Sequence, residues 1–124
     1  MPLLESGQDY LESILKLSRT SNEIHAIDIV NDLGFSKPSV SIALKKLKQE
    51  GYVTIDANSH IHLTEIGLKE AEKIFERHNI LTSLLIKLGV DETIAEADAC
   101  KIEHDLSEES FYAIKKMYNK FKEQ

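Results

Sequence analysis

Asp32-Leu33-Gly34-Phe35-Ser36-Lys37-Pro38-Ser39-Val40 carries a helix stop and a helix start within a few residues. Gly34 suits the left-handed residue that closes a helix, Ser36 offers an N-cap, and Pro38 falls in the first turn, where its missing N–H costs nothing. Upstream, Ile27, Val30 and Leu33 predict a helix from about Ala26 to Leu33. Downstream, Val40, Leu44 and Leu47 predict an inward-facing stripe on a helix that runs to about Glu50, with Gly51 ending it. Two helices joined by a short Gly-containing link form a helix-turn-helix, whose second helix is the one that enters a DNA major groove.

The flanking segments extend this unit. Tyr10, Leu11, Ile14, Leu15 and Leu17 have helical spacing between about Gly7 and Arg19, and Thr20-Ser21-Asn22 breaks it. After Gly51, Tyr52–Ile55 and Ile61–Leu63 are two β-rich runs around the turn residues 56–60, a short hairpin. The order helix, helix, turn, helix, hairpin is that of a winged helix-turn-helix. Thr64 can cap a long helix to about Leu88, with Ile66, Ile74, Phe75, His78, Leu81 and Leu85 near one stripe. Asp91 begins a further helix to about Asp105. Ser107 caps the last helix, with Leu106 and Phe111 placed as a hydrophobic staple. The fold class is mainly α: a winged domain over residues 1–70, then an all-helical domain over 71–124.

The chain of 124 residues, 42% hydrophobic and 29% charged, has the composition of an ordinary globular protein. No apolar run approaches the roughly 18 residues of a membrane span, and Met1-Pro2-Leu3-Leu4-Glu5 lacks the basic region of a signal peptide. A single cysteine excludes an internal disulfide framework, so a cytoplasmic location is expected. A net charge of −6 argues against nucleic-acid binding by bulk charge, so DNA contact has to come from a local patch. Residues 36–49 supply one, with Lys37, Lys45, Lys46 and Lys48 and no acidic residue. Ser36, Lys37, Pro38, Ser39, Ser41 and Lys45 are the expected DNA-contacting positions. A solvated lysine-rich face is the bland alternative. The hairpin lacks the Arg and Lys usual in a wing, and its His60 and His62 read as a solvent-facing pair.

Chemistry concentrates in Cys100-Lys101-Ile102-Glu103-His104. Spacings of three and four put Cys100, Glu103 and His104 on one face of a helix, and all three are metal-ligating types. A buried cysteine beside a surface Glu-His pair would give the same sequence. Asp9 and Glu12 are i, i+3 on the first helix, a geometry in which two carboxylates converge on one ion or simply face water. His78 falls on the apolar side of the long helix, as a ligand or as a satisfied core histidine.

The order of elements, together with Asp9-Tyr10-Leu11-Glu12, His78, Leu88-Gly89-Val90-Asp91-Glu92 and the Cys100–His104 cluster, resembles the diphtheria toxin repressor / manganese transport regulator family. That resemblance implies a metal-activated, non-enzymatic repressor of metal-uptake genes that binds palindromic operator DNA as a homodimer. It also implies a binuclear site with ligands at Asp9, Glu12, His78, Cys100, Glu103 and His104. The metal signature is mixed. Asp9 is similar to the manganese-responsive branch, Cys100 to the iron-responsive one, and the SH3-like third domain of many iron-responsive members is not expected. Hard oxygen ligands favour Mn(II), with Fe(II) the alternative and Co(II) or Zn(II) accepted in vitro. Leu84, Leu85, Leu88, Ile94 and Phe111 are candidate interface or core positions. A metal-independent winged-helix regulator is the runner-up, and a metal-dependent hydrolase lacks any further catalytic motif.

Overall fold

The computed structural model describes residues 5–122, so of the stretch 1–5 read above for a leader, residues 1–4 lie outside it. The elements are α1 (Glu5–Ser18), α2 (Ala26–Leu33), α3 (Lys37–Gln49), β1 (Val53–Ile55), β2 (Ile61–Leu63), α4 (Glu65–Lys87), α5 (Glu92–Ile102) and α6 (Glu108–Lys122). The chain divides between Glu72 and Lys73 into two compact units. Among the described residues no helix is long and apolar enough to cross a membrane.

In the first unit, α1 buries Tyr10, Leu11, Ile14 and Leu15, and α3 buries Val40, Leu44 and Leu47. Gly34 closes α2 at φ 73°, its N–H on the Val30 carbonyl, and Ser36 caps α3 by accepting the Ser39 N–H at 3.2 Å. The turn that joins the two helices therefore forms as its residues dictate. Buried Ser13 donates to Asp32 Oδ2 at 2.8 Å, and Lys16 Nζ meets Asp32 Oδ1 at 2.6 Å, which ties α1 to the end of α2. Strands β1 and β2 are antiparallel with Val53 opposite Leu63 and Ile55 opposite Ile61. The Ile61 N–H reaches back to the Ile24 carbonyl at 2.8 Å and joins the hairpin to the loop before α2.

Two expectations about inward faces are corrected. In α2 the buried side chain is Ile29, while Ile27 is exposed, because the face turned toward α1 and α3 runs through Ile29. In α4 Ile66 is also exposed, and the close contact is made by Gly67, which the sequence reading passed over. A Cβ on Gly67 would lie 2.0 Å from the Tyr52 carbonyl oxygen. Thr64 anchors the same place, donating to the Gly51 carbonyl at 2.6 Å and accepting the Gly67 N–H at 3.1 Å.

The second unit holds the rest of α4 with α5 and α6. Asp91 caps α5 by accepting the Thr93 N–H, and Ser107 caps α6 by accepting the Ser110 N–H. Ala95, Ala99 and Phe111 are buried. Lys115 bonds Glu76 at 3.0 Å and Lys87 Nζ donates to the Phe121 carbonyl at 3.2 Å, so α6 lies along α4. Of the candidate interface positions, Leu84 and Leu85 are half-buried, and Leu88 and Ile94 are exposed. Helix α5 ends at Ile102, short of the expected Asp105, and Glu103, His104 and Asp105 form a turn.

Candidate metal centre and nucleic-acid interface

Every expected DNA-contacting position of α3 is on the surface. Ser36, Lys37, Pro38, Ser39, Ser41 and Lys45 are exposed, as are Ile42, Lys46 and Lys48. The Ser36 hydroxyl also donates to Ser39 Oγ at 2.8 Å, so these two serines form one capping pair at the start of the helix. Phe35, in the turn, packs edge-on against Tyr10 of α1 with ring centroids 5.7 Å apart, a contact the sequence did not advertise. It braces the start of the reading helix against α1. Burial and the adjacent Asp9 carboxylate push the Tyr10 phenol up.

The hairpin tip is an acidic clasp. Asp56 Oδ1 accepts the Asn58 and His60 N–H groups, and Asp56 Oδ2 lies 3.0 Å from His62 Nε2. The His62 hydrogen bond, with the backbone N–H groups of His60 and Asn58, holds the Asp56 carboxyl down at about 2. A carboxyl depressed in the folded state contributes stability above its unfolded value, which is lost as pH falls toward about 2. The expected solvent-facing histidine pair is in place in part: His62 is exposed, whereas His60 is half-buried with its ring edge-on to His25 at 4.7 Å.

In the second unit three of the expected ligands converge. His78 Nδ1 on α4 lies 2.8 Å from Glu103 Oε2, and His104 Nε2 lies 3.4 Å from Glu103 Oε1. The Glu103 side chain is fully buried, that of His104 is 2% exposed and that of His78 is 19% exposed. Glu103 Oε1 accepts no hydrogen bond, a costly arrangement for a buried carboxylate oxygen unless a cation completes it. Two imidazoles and a carboxylate are a donor set suited to a first-row divalent ion, so these residues fit one. Glu96, which the sequence reading did not single out, lies 3.9 Å from His78 Nε2. Its position on α5, seven residues before Glu103, was the available signal. Cys100 is exposed near the end of α5, whereas Glu103 is buried. Glu103 is the C-cap of α5, still helical at φ −57° and ψ −28° with its N–H on the Ala99 carbonyl, and His104 follows in the turn. Within the first unit, Asp9 and Glu12 are both half-buried on α1, one turn apart.

Residues 64–124 match the metal-binding and dimerisation domain of iron-dependent repressors, and residues 2–61 match the N-terminal DNA-binding domain of the same proteins. A transcriptional regulator of Methanocaldococcus jannaschii is 36% identical over 121 residues, which cover 96% of this chain and 97% of that protein. The chain belongs to the iron-dependent repressor family. The transcriptional regulator MntR of Escherichia coli O6:H1 is 37% identical over 107 residues, covering 86% of this chain and 69% of MntR. The structure of the manganese regulator SloR superposes with a TM-score of 0.82 at 27% identity, covering 96% of this chain and 55% of SloR. The chain thus spans about half the length of that solved relative. As an iron-dependent-repressor family member it is a metal-dependent transcriptional regulator, not an enzyme, with one domain for DNA and one for metal binding and dimerisation.

Proposed function

We propose that this chain is a metal-activated repressor of manganese- or iron-uptake genes, working in the cytoplasm as a homodimer on palindromic operator DNA. The observation that carries the reading is Glu103: a fully buried carboxylate between two imidazoles with an oxygen that accepts no hydrogen bond. Asp9, Glu12, His78, Cys100, Glu103 and His104 are the proposed ligands, with Glu12 and Glu103 as bridges, by likeness to the family. A bound divalent cation supplies the positive charge that this set of carboxylates and imidazoles is suited to neutralise. Asp9 and Glu12 belong to α1, which packs on α2 and α3. Ligands on α1 therefore bear on the placement of the reading helix. In a dimer, the two copies of α3 must meet major-groove faces about 34 Å apart. A coupling of about 1–3 kcal/mol between metal and DNA changes operator affinity about 5- to 150-fold.

Mn(II) is the proposed metal and Fe(II) the alternative. Three of the six proposed ligands are carboxylates, and the solved relative SloR is a manganese regulator. Anaerobic calorimetry with Mn(II) and Fe(II) on the wild type and on His78→Ala tests the reading. Wild-type affinity in the variant would favour a metal-independent regulator.

Two substitutions probe the finer assignments. Lys37→Ala weakens operator binding and lowers the salt slope by about one unit while the fold and dimer persist, since Lys37 is exposed at the start of α3. An unchanged slope removes that lysine from the interface. Cys100→Glu shifts preference toward Mn(II), because a hard oxygen replaces a soft sulfur. Wild-type protein loaded with Co(II) should show a sulfur-to-metal charge-transfer band. A spectrum of oxygen and nitrogen ligation alone, with full metal response in Cys100→Ala, reduces the site to the other five residues.

A further inference from the structure

We propose that Arg77 is a positioning residue for the metal centre: its guanidinium fastens the turn that carries Glu103 and His104 to the helix that carries His78. The proposal rests on the metal-centre reading above and deepens it. Arg77 Nη1 donates to the Glu103 carbonyl at 3.0 Å and to the Leu106 carbonyl at 2.8 Å. Both acceptors lie just past the end of α5, where the last carbonyls of a helix lack partners within it. The turn contains no glycine or proline to fix its path. Its conformation is instead set by a residue 26 positions earlier in the chain.

The guanidinium is itself held in place. Its Cζ lies over the buried Phe111 ring, 5.1 Å from the centroid, within cation–π range, so the group is held by the ring as well as by hydrogen bonds. Phe111 follows the Ser107 cap of α6, and its N–H bonds the Ser107 carbonyl at 3.0 Å. Arg77 thus joins α4, the turn at 103–106 and the first turn of α6. The neighbouring residue on α4 is His78, whose Nδ1 meets Glu103 Oε2 at 2.8 Å. Fixing the Glu103 backbone from Arg77 sets the register in which the Glu103 side chain reaches His78 and His104. Ligands held in register in advance bind an ion more tightly, since outer partners of a metal site commonly contribute 10- to 100-fold in affinity.

The test uses the full chain and two probe ions, Mn(II) by calorimetry and Co(II) by its ligand-field spectrum. Arg77→Ala should weaken Mn(II) binding roughly 10- to 100-fold and alter the Co(II) spectrum. Arg77→Lys, which keeps the charge and loses the forked guanidinium donors, should recover part of the affinity. Ile74→Val, a truncation at a buried position on the same helix, serves as the stability control and should bind both ions as the wild type does. If Arg77→Ala does not fold, the Arg77→Lys spectrum decides: a changed band supports positioning and a wild-type band overturns it. Wild-type affinity and spectrum in Arg77→Ala, or an equal loss in Ile74→Val, also overturn it. The underlying reading fails separately, through Glu103→Ala binding Mn(II) like the wild type, and the proposal then falls with it.

Discussion

Glu103→Ala brings operator affinity in saturating Mn(II) down to the metal-free level of the wild type, a loss of about 5- to 150-fold. The size follows from where the residue sits. Its carboxylate is fully buried, one oxygen faces His78 and the other faces His104, so no other side chain in the second unit is bracketed by both imidazoles in this way among the described residues. Alanine removes the carboxylate that both imidazoles approach. The helical span of α5 ends at Ile102, so the variant is expected to keep its helical content. Calorimetric Mn(II) titration beside circular dichroism checks the result. Unaltered Mn(II) affinity in a folded Glu103→Ala protein would remove this cluster from the metal site.

Gly67→Ala destabilises the first unit by about 1–3 kcal/mol, in the range of forced overpacking. The added Cβ would meet a backbone oxygen, Tyr52 O, at 2.0 Å, and backbone cannot swing aside as a flexible side-chain end can. Relief requires the start of α4 to move from the hairpin, which strains the Thr64 bonds to Gly51 and Tyr52 at 2.6 and 3.1 Å. Thermal denaturation followed by far-UV dichroism reads the loss directly. A melting temperature equal to that of the wild type would show that the contact yields at no cost.

These two residues also show which parts of the fold local sequence could specify. The helix-turn-helix was legible because Gly34, Ser36 and Pro38 act through their own backbone preferences, and the caps form as those preferences dictate. The hairpin and the Ser107 cap were legible for the same reason. Gly67 was not, since its role depends on a carbonyl 15 positions away in sequence and leaves no trace in periodicity. Ile27 and Ile29 illustrate a related limit. In a helix of 8 residues, either isoleucine could define the inner face, and packing on two neighbours chose Ile29. At the metal centre, residue types named the candidates. Burial distinguishes exposed Cys100 from buried Glu103, and the end of α5 is met by Arg77 from another helix. Arg77 and Glu96 were missed because their neighbours in space are remote in the chain.

Control of operator affinity by metal occupancy is the proposed function of the chain. It is tested most directly by fluorescence anisotropy on a duplex from the upstream region of a metal-transporter gene, titrated anaerobically with protein in Mn(II), in Fe(II), and in excess chelator. Tight binding with one of the ions and a 5- to 150-fold loss in chelator is the expected result. Equal affinity in all three conditions, with the protein folded and dimeric throughout, would contradict it.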